Sequence, residues 1–252
     1  MFARQRHALT LGLIALALGT ALTVVVGLNP DEPAVQALDD DFMSWILEHR
    51  TARTIDVAKA VSLLGAPVVL VPLRLIVTAG LLWHRRWLQL GAWMGAIVSS
   101  ELCIGPLKAA LERPRPPHPL IHTSSSSFPS GHAIAATVTA IGLVVVLHPP
   151  VRQRNRWTAM AAAFAVVMAL SRTVLSAHWM TDVAGGALFG LGWAVTWPAA
   201  LELTRSALAA RDGRRMTRQS TETLGSGRTP ATGKSVAPPM SSPPWSSRKG
   251  GY

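Results

Sequence analysis

The chain has 252 residues, of which 49% are hydrophobic and only 15% charged. A soluble domain carries roughly 25% charged residues, so the composition argues against a soluble globular protein and for an integral membrane one. The formal net charge is +11, but the excess lies in the carboxy-terminal region and in short loops between apolar runs, without an aromatic-basic recognition pattern. A nucleic-acid partner is therefore not expected. The single cysteine, Cys103, sits in an apolar run and excludes both an intramolecular disulfide and a cysteine-based metal site.

Taken in chain order, apolar segments cover residues 8–28, 60–83, 88–107, 131–148, 157–175 and 182–203. A helix needs about 20 apolar residues to cross the hydrocarbon. The first segment is too long for the apolar core of a signal peptide and is expected as a retained span. The fourth, "HAIAATVTAIGLVVVL", is shorter but carries no charge. The fold class expected is all-α: an integral membrane six-helix bundle with both termini on one side. Three regions follow: 1–59, the first span plus an outward loop whose residues 42–55 form a short interfacial helix; 60–205, a core of five further spans; and 206–252, a basic, Ser/Thr/Pro/Gly-rich tail expected to be disordered.

Orientation follows from basic residues in the loops. Arg4 and Arg6, Arg85 and Arg86, then Arg152, Arg154 and Arg156, then Arg205, Arg211, Arg214, Arg215 and Arg218 all fall on one side of a six-span chain. That side is expected to be cytoplasmic. The first loop of the other side, "NPDEPAVQALDDDFMSWILEHRTARTID", is net acidic. Charges inside the spans include Arg74 in the second and Glu101 in the third. Arg74 is expected to snorkel toward the cytoplasmic face, and Glu101 either supports a site or pairs with a neighbour.

The outward loops, 29–59, 108–130 and 172–181, carry the chemistry. "FPSGHAIAATV" offers a serine cap at Ser130, a permissive glycine at Gly131 and a helix start at His132. Free N–H groups at a helix start suit phosphate, although a Pro-Ser-Gly run is also simply a cap. "KAALERPRP" ends the third span with Lys108, Arg113 and Arg115; such cations outside the cell ask for an anionic partner or form a lipid-facing basic end. "SRTVLSAHWMTD" contributes Arg172, His178 and Asp182. If a helix starts near Ala177, His178 and Asp182 stand one turn apart, and the carboxylate can fix the imidazole tautomer; the alternative is a polar turn with a satisfied histidine. Together the three stretches would make a metal-free phosphoryl-transfer site with no cofactor.

These residues resemble the type 2 phosphatidic acid phosphatases, whose motifs are Lys-x6-Arg-Pro, Pro-Ser-Gly-His and Ser-Arg-x5-His-x3-Asp. The sequence carries all three, in order: Lys108 with Arg115 and Pro116, Pro129 to His132, and Ser171 with Arg172, His178 and Asp182. The resemblance covers residues 60 to 203. It implies that Lys108, Arg115 and Arg172 hold phosphate oxygens with the backbone around Ser130 and Gly131. It implies that His178 attacks phosphorus, Asp182 orients it and His132 protonates the leaving group, with no metal required. It also implies a helical bundle, a site at the membrane interface facing outside, and a membrane lipid phosphate or diphosphate as substrate. Arg113 falls outside the motif, and the lipid tail, the oligomeric state and the acceptor are not specified by it. The same motifs occur in vanadium haloperoxidases, which are soluble. A lipid phosphotransferase and a non-catalytic lipid-binding membrane protein are the remaining alternatives; the presence of both motif histidines speaks against the latter.

Overall fold

A computed structural model of the chain describes residues 2–29, 34–121, 125–147 and 150–225, which form helices and loops without a strand. Eight helices follow in order: α1 (Phe2–Gly27), α2 (Gln36–His49), α3 (Ala52–Leu64), α4 (Pro67–Trp83), α5 (Trp87–Leu111), α6 (Gly131–Leu147), α7 (Val151–Val174) and α8 (Met180–Gly225). Five stretches are long and apolar enough to cross a bilayer: Gln5–Gly27, Ala52–Trp83, Trp87–Leu111, Arg152–Val174 and Met180–Thr217. The other expected crossing, α6, has 17 residues and at 1.5 Å per residue reaches roughly 25 Å.

The expected six spans and one interfacial helix make seven helices in all; eight are described, for two local reasons. The second span breaks between α3 and α4, where Ala66 is extended ahead of Pro67 and the proline takes the first helical turn. Gly65 permits that break to press on α7, since a Cβ there would stand 2.7 Å from the Met168 sulfur. The single helix expected over 42–55 is also two helices. α2 stops at His49, Arg50 is extended, and Thr51 starts α3 with a capping box: Thr54 N donates to Thr51 Oγ1 at 3.2 Å and Thr51 N to Thr54 Oγ1 at 2.7 Å. At the other end, the disorder expected from 206 begins instead as helix, because "SALAARDGRRM" is rich in strong helix formers. Residues 226–252 of that tail lie outside the described residues. The described residues up to Leu208 form one compact unit, and those from Ala209 belong to a second.

Within the first unit the core is layered along the bundle axis. One end holds Leu81, Trp93, Ile97 and Val146, the middle Ala96, Val138, Ile141, Ala161 and Ala194. The opposite end holds Val26, Leu111 and Phe128, and Ala58, Leu175 and Ala177. The α5–α6 and α7–α8 loops therefore meet α2 and α3 at that last end. Glycines bring α8 against α6: a Cβ at Gly190 would stand 2.7 Å from the Ile134 carbonyl, and one at Gly186 2.7 Å from the Ser130 carbonyl. Close approach over small residues is how helices associate in lipid. The outer surface is apolar, with Val68, Leu75, Ile76 and Leu102 exposed, as hydrocarbon contact requires. Exposed Trp83, Trp87 and Trp157 mark the end away from the two loops, and exposed Trp45 the end that holds them.

Arg74 does not snorkel. Its guanidinium donates to Thr139 Oγ1 at 2.9 Å, to the Ala135 carbonyl at 3.2 Å and to Glu101 Oε1 at 2.7 Å. It thereby joins α4, α5 and α6, and Glu101 takes the pairing role. Lipid gives an arginine no water partner, so side-chain and carbonyl acceptors within the bundle replace it.

The glycine contacts separate two outcomes. Gly190→Ala should destabilise the detergent-solubilised protein by about 1–3 kcal/mol through overpacking. Gly80→Ala, where a Cβ meets nothing within 4 Å, should leave the melting temperature unchanged or raise it. Thermal unfolding of the two variants side by side checks the pair.

Candidate active site

The third motif is built around the start of α8. This helix begins at Met180, not near Ala177, so His178 stands just ahead of it and Asp182 in its first turn. Asp182 Oδ2 accepts the Trp179 N–H at 2.8 Å, closing the helix start with a carboxylate where the helix dipole favours one. The turn still brings His178 Nδ1 to 3.6 Å from Asp182 Oδ2.

The imidazole is oriented chiefly by a group that the motifs do not include. His178 Nδ1 lies 2.7 Å from the Ser127 carbonyl. A carbonyl only accepts, so Nδ1 carries the proton and Nε2 carries the lone pair. Ser127 also donates its hydroxyl to Asp182 Oδ2 in a short hydrogen bond. Asp182 thus acts on the ring partly across a 3.6 Å gap and partly through Ser127. Arg115 Nη1 lies 3.4 Å from Nε2. His178 is almost wholly buried. Burial pushes its imidazole down to about 4, Asp182 works against that shift, and Arg115 and Arg172 add to it.

The cations of the first motif converge on the same place. Lys108, in the last turn of α5, donates to the Ser126 carbonyl at 2.5 Å. Arg115 donates to the Ser125 carbonyl at 2.8 Å, the Ser126 carbonyl at 3.3 Å and the Ala177 carbonyl at 2.5 Å. Arg172, at the end of α7, donates to Ser62 Oγ of α3 at 2.5 Å. His132, in the first turn of α6, lies within the field of Lys108, Arg115, Arg172 and His178. Lys108, Arg115, His132, Arg172, His178 and Asp182 therefore belong to one cluster.

The start of α6 departs from the expected cap. Ser130 N donates to the Asp182 carbonyl at 3.1 Å, which ties the second motif to the third and removes that N–H from ligand binding. The Ser130 hydroxyl makes no cap bond; it is buried without a partner among the described residues. The N–H groups of Gly131 and His132 remain at the open end of the helix, and a Cβ on Gly131 would meet nothing within 4 Å. An anion can approach that backbone closely.

Behind the cluster lies a second layer that sequence reasoning missed. Arg113, whose role the motifs left open, is 1% exposed. It donates to Asp182 Oδ1 at 2.6 Å, Asp39 Oδ2 at 2.7 Å, Thr181 Oγ1 at 2.8 Å and Gln36 Oε1 at 2.9 Å. Its guanidinium also stands 5.7 Å from the centre of the Trp179 ring. Asp39, on α2, is wholly buried. The acidic run "LDDDF" was the available signal, but it does not say which of three aspartates turns inward. Arg50 donates to Ser176 Oγ at 3.0 Å, so α2 and α3 both grip the loop that carries His178.

Chemically, the arrangement supplies a neutral imidazole with an outward lone pair, a buried carboxylate behind it, three cations, a helix start and a second imidazole. The PAP2 superfamily model matches residues 89–204. The chain is 33% identical over 168 residues to phosphatidylglycerophosphatase B of Bacillus subtilis, covering 63% of this chain and 80% of that protein. It is 35% identical over 120 residues to the decaprenylphosphoryl-5-phosphoribose phosphatase of Mycobacterium tuberculosis, covering 42% of this chain and 56% of that protein. Among solved structures it resembles the transmembrane PAP2-type phosphatidylglycerolphosphate phosphatase of Bacillus subtilis, with TM-score 0.62 and 28% identity over 78% of this chain and 96% of that one. LpxE of Aquifex aeolicus shares the fold, with TM-score 0.54 and 23% identity over 64% of this chain and 94% of that one.

Ser127→Ala removes a buried hydrogen bond to a carboxylate while keeping the carbonyl that holds His178. It should cost about 1.5–3 kcal/mol, read as a lower denaturation midpoint of the solubilised protein.

Proposed function

This chain belongs to the PAP2 superfamily of type 2 phosphatidic acid phosphatases, and on that premise we propose that it removes phosphate from a membrane lipid phosphate or diphosphate through a phosphohistidine. It is a multi-pass membrane phosphatase acting on phosphoric ester bonds. The observation that carries the finer reading is the His178 tautomer: with Nδ1 donating to the Ser127 carbonyl, Nε2 keeps its lone pair, held only by a long 3.4 Å contact from Arg115 Nη1 that a phosphate would draw away.

In the proposed first step the substrate phosphate lies among Lys108, Arg115 and Arg172, with the N–H groups of Gly131 and His132 and the Ser130 hydroxyl as further donors. Lys108 and Arg115 exchange backbone carbonyls for phosphate oxygens, a gain because ionic acceptors bind more strongly than neutral ones. Nε2 attacks phosphorus, the bond from phosphorus to the leaving oxygen breaks, and His132, which takes up a proton from solvent once the anionic phosphate offsets the three cations around it, gives that oxygen the proton. The imidazole becomes cationic as it attacks, and the Asp182 carboxylate stabilises that charge. In the second step His132, now neutral, takes a proton from water. The resulting hydroxide attacks phosphorus, the P–N bond breaks, and phosphate leaves with His178 neutral again. Charge stabilisation and positioning carry most phosphoryl transfer, and no metal is needed in this scheme.

The proposed orientation places the site on the extracytoplasmic face and both termini in the cytoplasm. Its support is the arginine bias of the loops at the other end of the bundle. A lipid phosphate lying in that leaflet would present its headgroup to the cations. Phosphatidate, phosphatidylglycerol phosphate and undecaprenyl diphosphate are the substrates to try.

Two measurements test the reading. Purified protein in detergent with EDTA should release inorganic phosphate from at least one of these lipids, and His178→Ala should reduce release by at least a thousandfold; metal-dependent release, or equal release by the variant, contradicts it. The second concerns protonation. A histidine with an ordinary value near 6.5 charges between pH 7 and 5, whereas His178, held down to about 4, should stay neutral throughout that window. NMR of ring-labelled histidine should show its shifts constant from pH 7 to 5, and titration near 6.5 would refute the buried-neutral state.

A further inference from the structure

Asp39 lies outside residues 89–204, which the family model matches, and reaches the site only through the fold. Its carboxylate accepts the Thr181 N–H at 2.9 Å, the Thr181 hydroxyl at 2.5 Å and Arg113 Nη2 at 2.7 Å. Arg113 in turn gives its other nitrogen, Nη1, to Asp182 Oδ1 at 2.6 Å. The two oxygens of Asp182 are thus used differently. Oδ1 is taken by Arg113, while Oδ2 accepts from Ser127 and Trp179 and faces His178.

Three buried charges, two negative and one positive, sum to minus one. Remove the Asp39 charge, and Arg113 is free to turn both nitrogens onto Asp182, since guanidinium and carboxylate favour a bidentate fork. That would draw Oδ2 away from Ser127 and His178 and neutralise the carboxylate. We propose that Asp39 is a positioning residue for the phosphatase reaction: by occupying half of Arg113 and both donors of Thr181, it keeps Asp182 turned toward His178 and negatively charged. The proposal rests on the reading of His178 as nucleophile given above. It assigns to α2 a function that the three motifs do not contain.

The test uses full-length protein in detergent, phosphate release from phosphatidylglycerol phosphate, and four variants: Asp39→Asn, Arg113→Gln, the two combined, and His178→Ala. Asp39→Asn should lower kcat about 10–100-fold, the range for removing a partner that orients an active group, with KM within about twofold, since Asp39 does not contact substrate. Arg113→Gln leaves two buried carboxylates without a counter-charge and should lose more. Adding Asp39→Asn to it removes one of those carboxylates, so the double variant should regain about tenfold over Arg113→Gln alone. A contact that merely pins α2 predicts the opposite, a further loss in the double variant. Wild-type kcat in Asp39→Asn, a loss confined to KM, or a double variant no better than Arg113→Gln overturns the proposal. If neither single variant accumulates as folded protein, the double variant is compared with wild type: lowered kcat with KM kept supports the proposal, and wild-type kcat overturns it. Undiminished phosphate release by His178→Ala overturns the underlying reading of His178, and the proposal with it.

Discussion

The site end of the molecule depends on one guanidinium that water does not reach. Arg113 sits between Asp39 and Asp182, with Thr181 and Gln36 also accepting from its terminal nitrogens, while its Nε is buried without a partner among the described residues. An unpaired charge in such a place costs several kcal/mol. The segments that supply the counter-charges, α2 and the start of α8, must therefore arrive together with the loop after α5. Once they do, neighbouring geometry follows. The Pro114 carbonyl accepts the Trp179 indole N–H at 2.9 Å, and Arg115, two residues beyond Arg113, lies across the Ala177 carbonyl beside His178. The acidity of the segment between the first and second spans, which by composition reads only as a topology signal, is in part the counter-charge for this arginine.

The loops of the site have no helical ladder to satisfy their backbone groups, and bond to one another instead. Ser127 N donates to the Arg113 carbonyl at 2.9 Å, Leu120 N to the Leu175 carbonyl at 3.0 Å, and Ser130 N to the Asp182 carbonyl at 3.1 Å. The carbonyls of Ser125, Ser126, Ser127 and Ala177 each accept from a side chain of the cluster. Irregular backbone is tolerated near lipid where protein groups satisfy it in this way. The Ser127 carbonyl holds the imidazole in place before any substrate arrives, and the other carbonyls keep Lys108 and Arg115 beside it until an anion takes their place.

How much of this could be read from residues alone depended on the range of the signal. Apolar run length located the crossings, and motif spacing picked out Lys108, Arg115, His132, Arg172, His178 and Asp182, which the fold gathers into one cluster. Local chemistry not weighed in that reading altered the rest: the Ala66–Pro67 break and the Thr51 capping box redrew the interfacial helix and the second span as α2, α3 and α4. Burial partners were not legible, because they are long-range. Nothing in "LDDDF" marks Asp39 over Asp40 or Asp41, and nothing marks Ser127 among four consecutive serines; each is singled out by a contact with Asp182 or its neighbours, more than 50 positions away. Arg74 was misread for the same reason, since its partners on α5 and α6 are visible only when the helices are packed.

The exposed tryptophans have a consequence for the lipid around the protein. Trp83, Trp87 and Trp157 ring the end away from the site, and indoles settle at the level of the headgroups. The Arg74–Glu101 pair and the glycine contacts of α8 tie the helices between those indoles and the site to one another. With Trp45 exposed at the other end, indoles stand at both interfaces, and the distance between them is set by the packed helices while bilayer thickness is set by the lipid. A mismatch between the two falls on the lipid and on the tilt of the bundle rather than on any residue of the site.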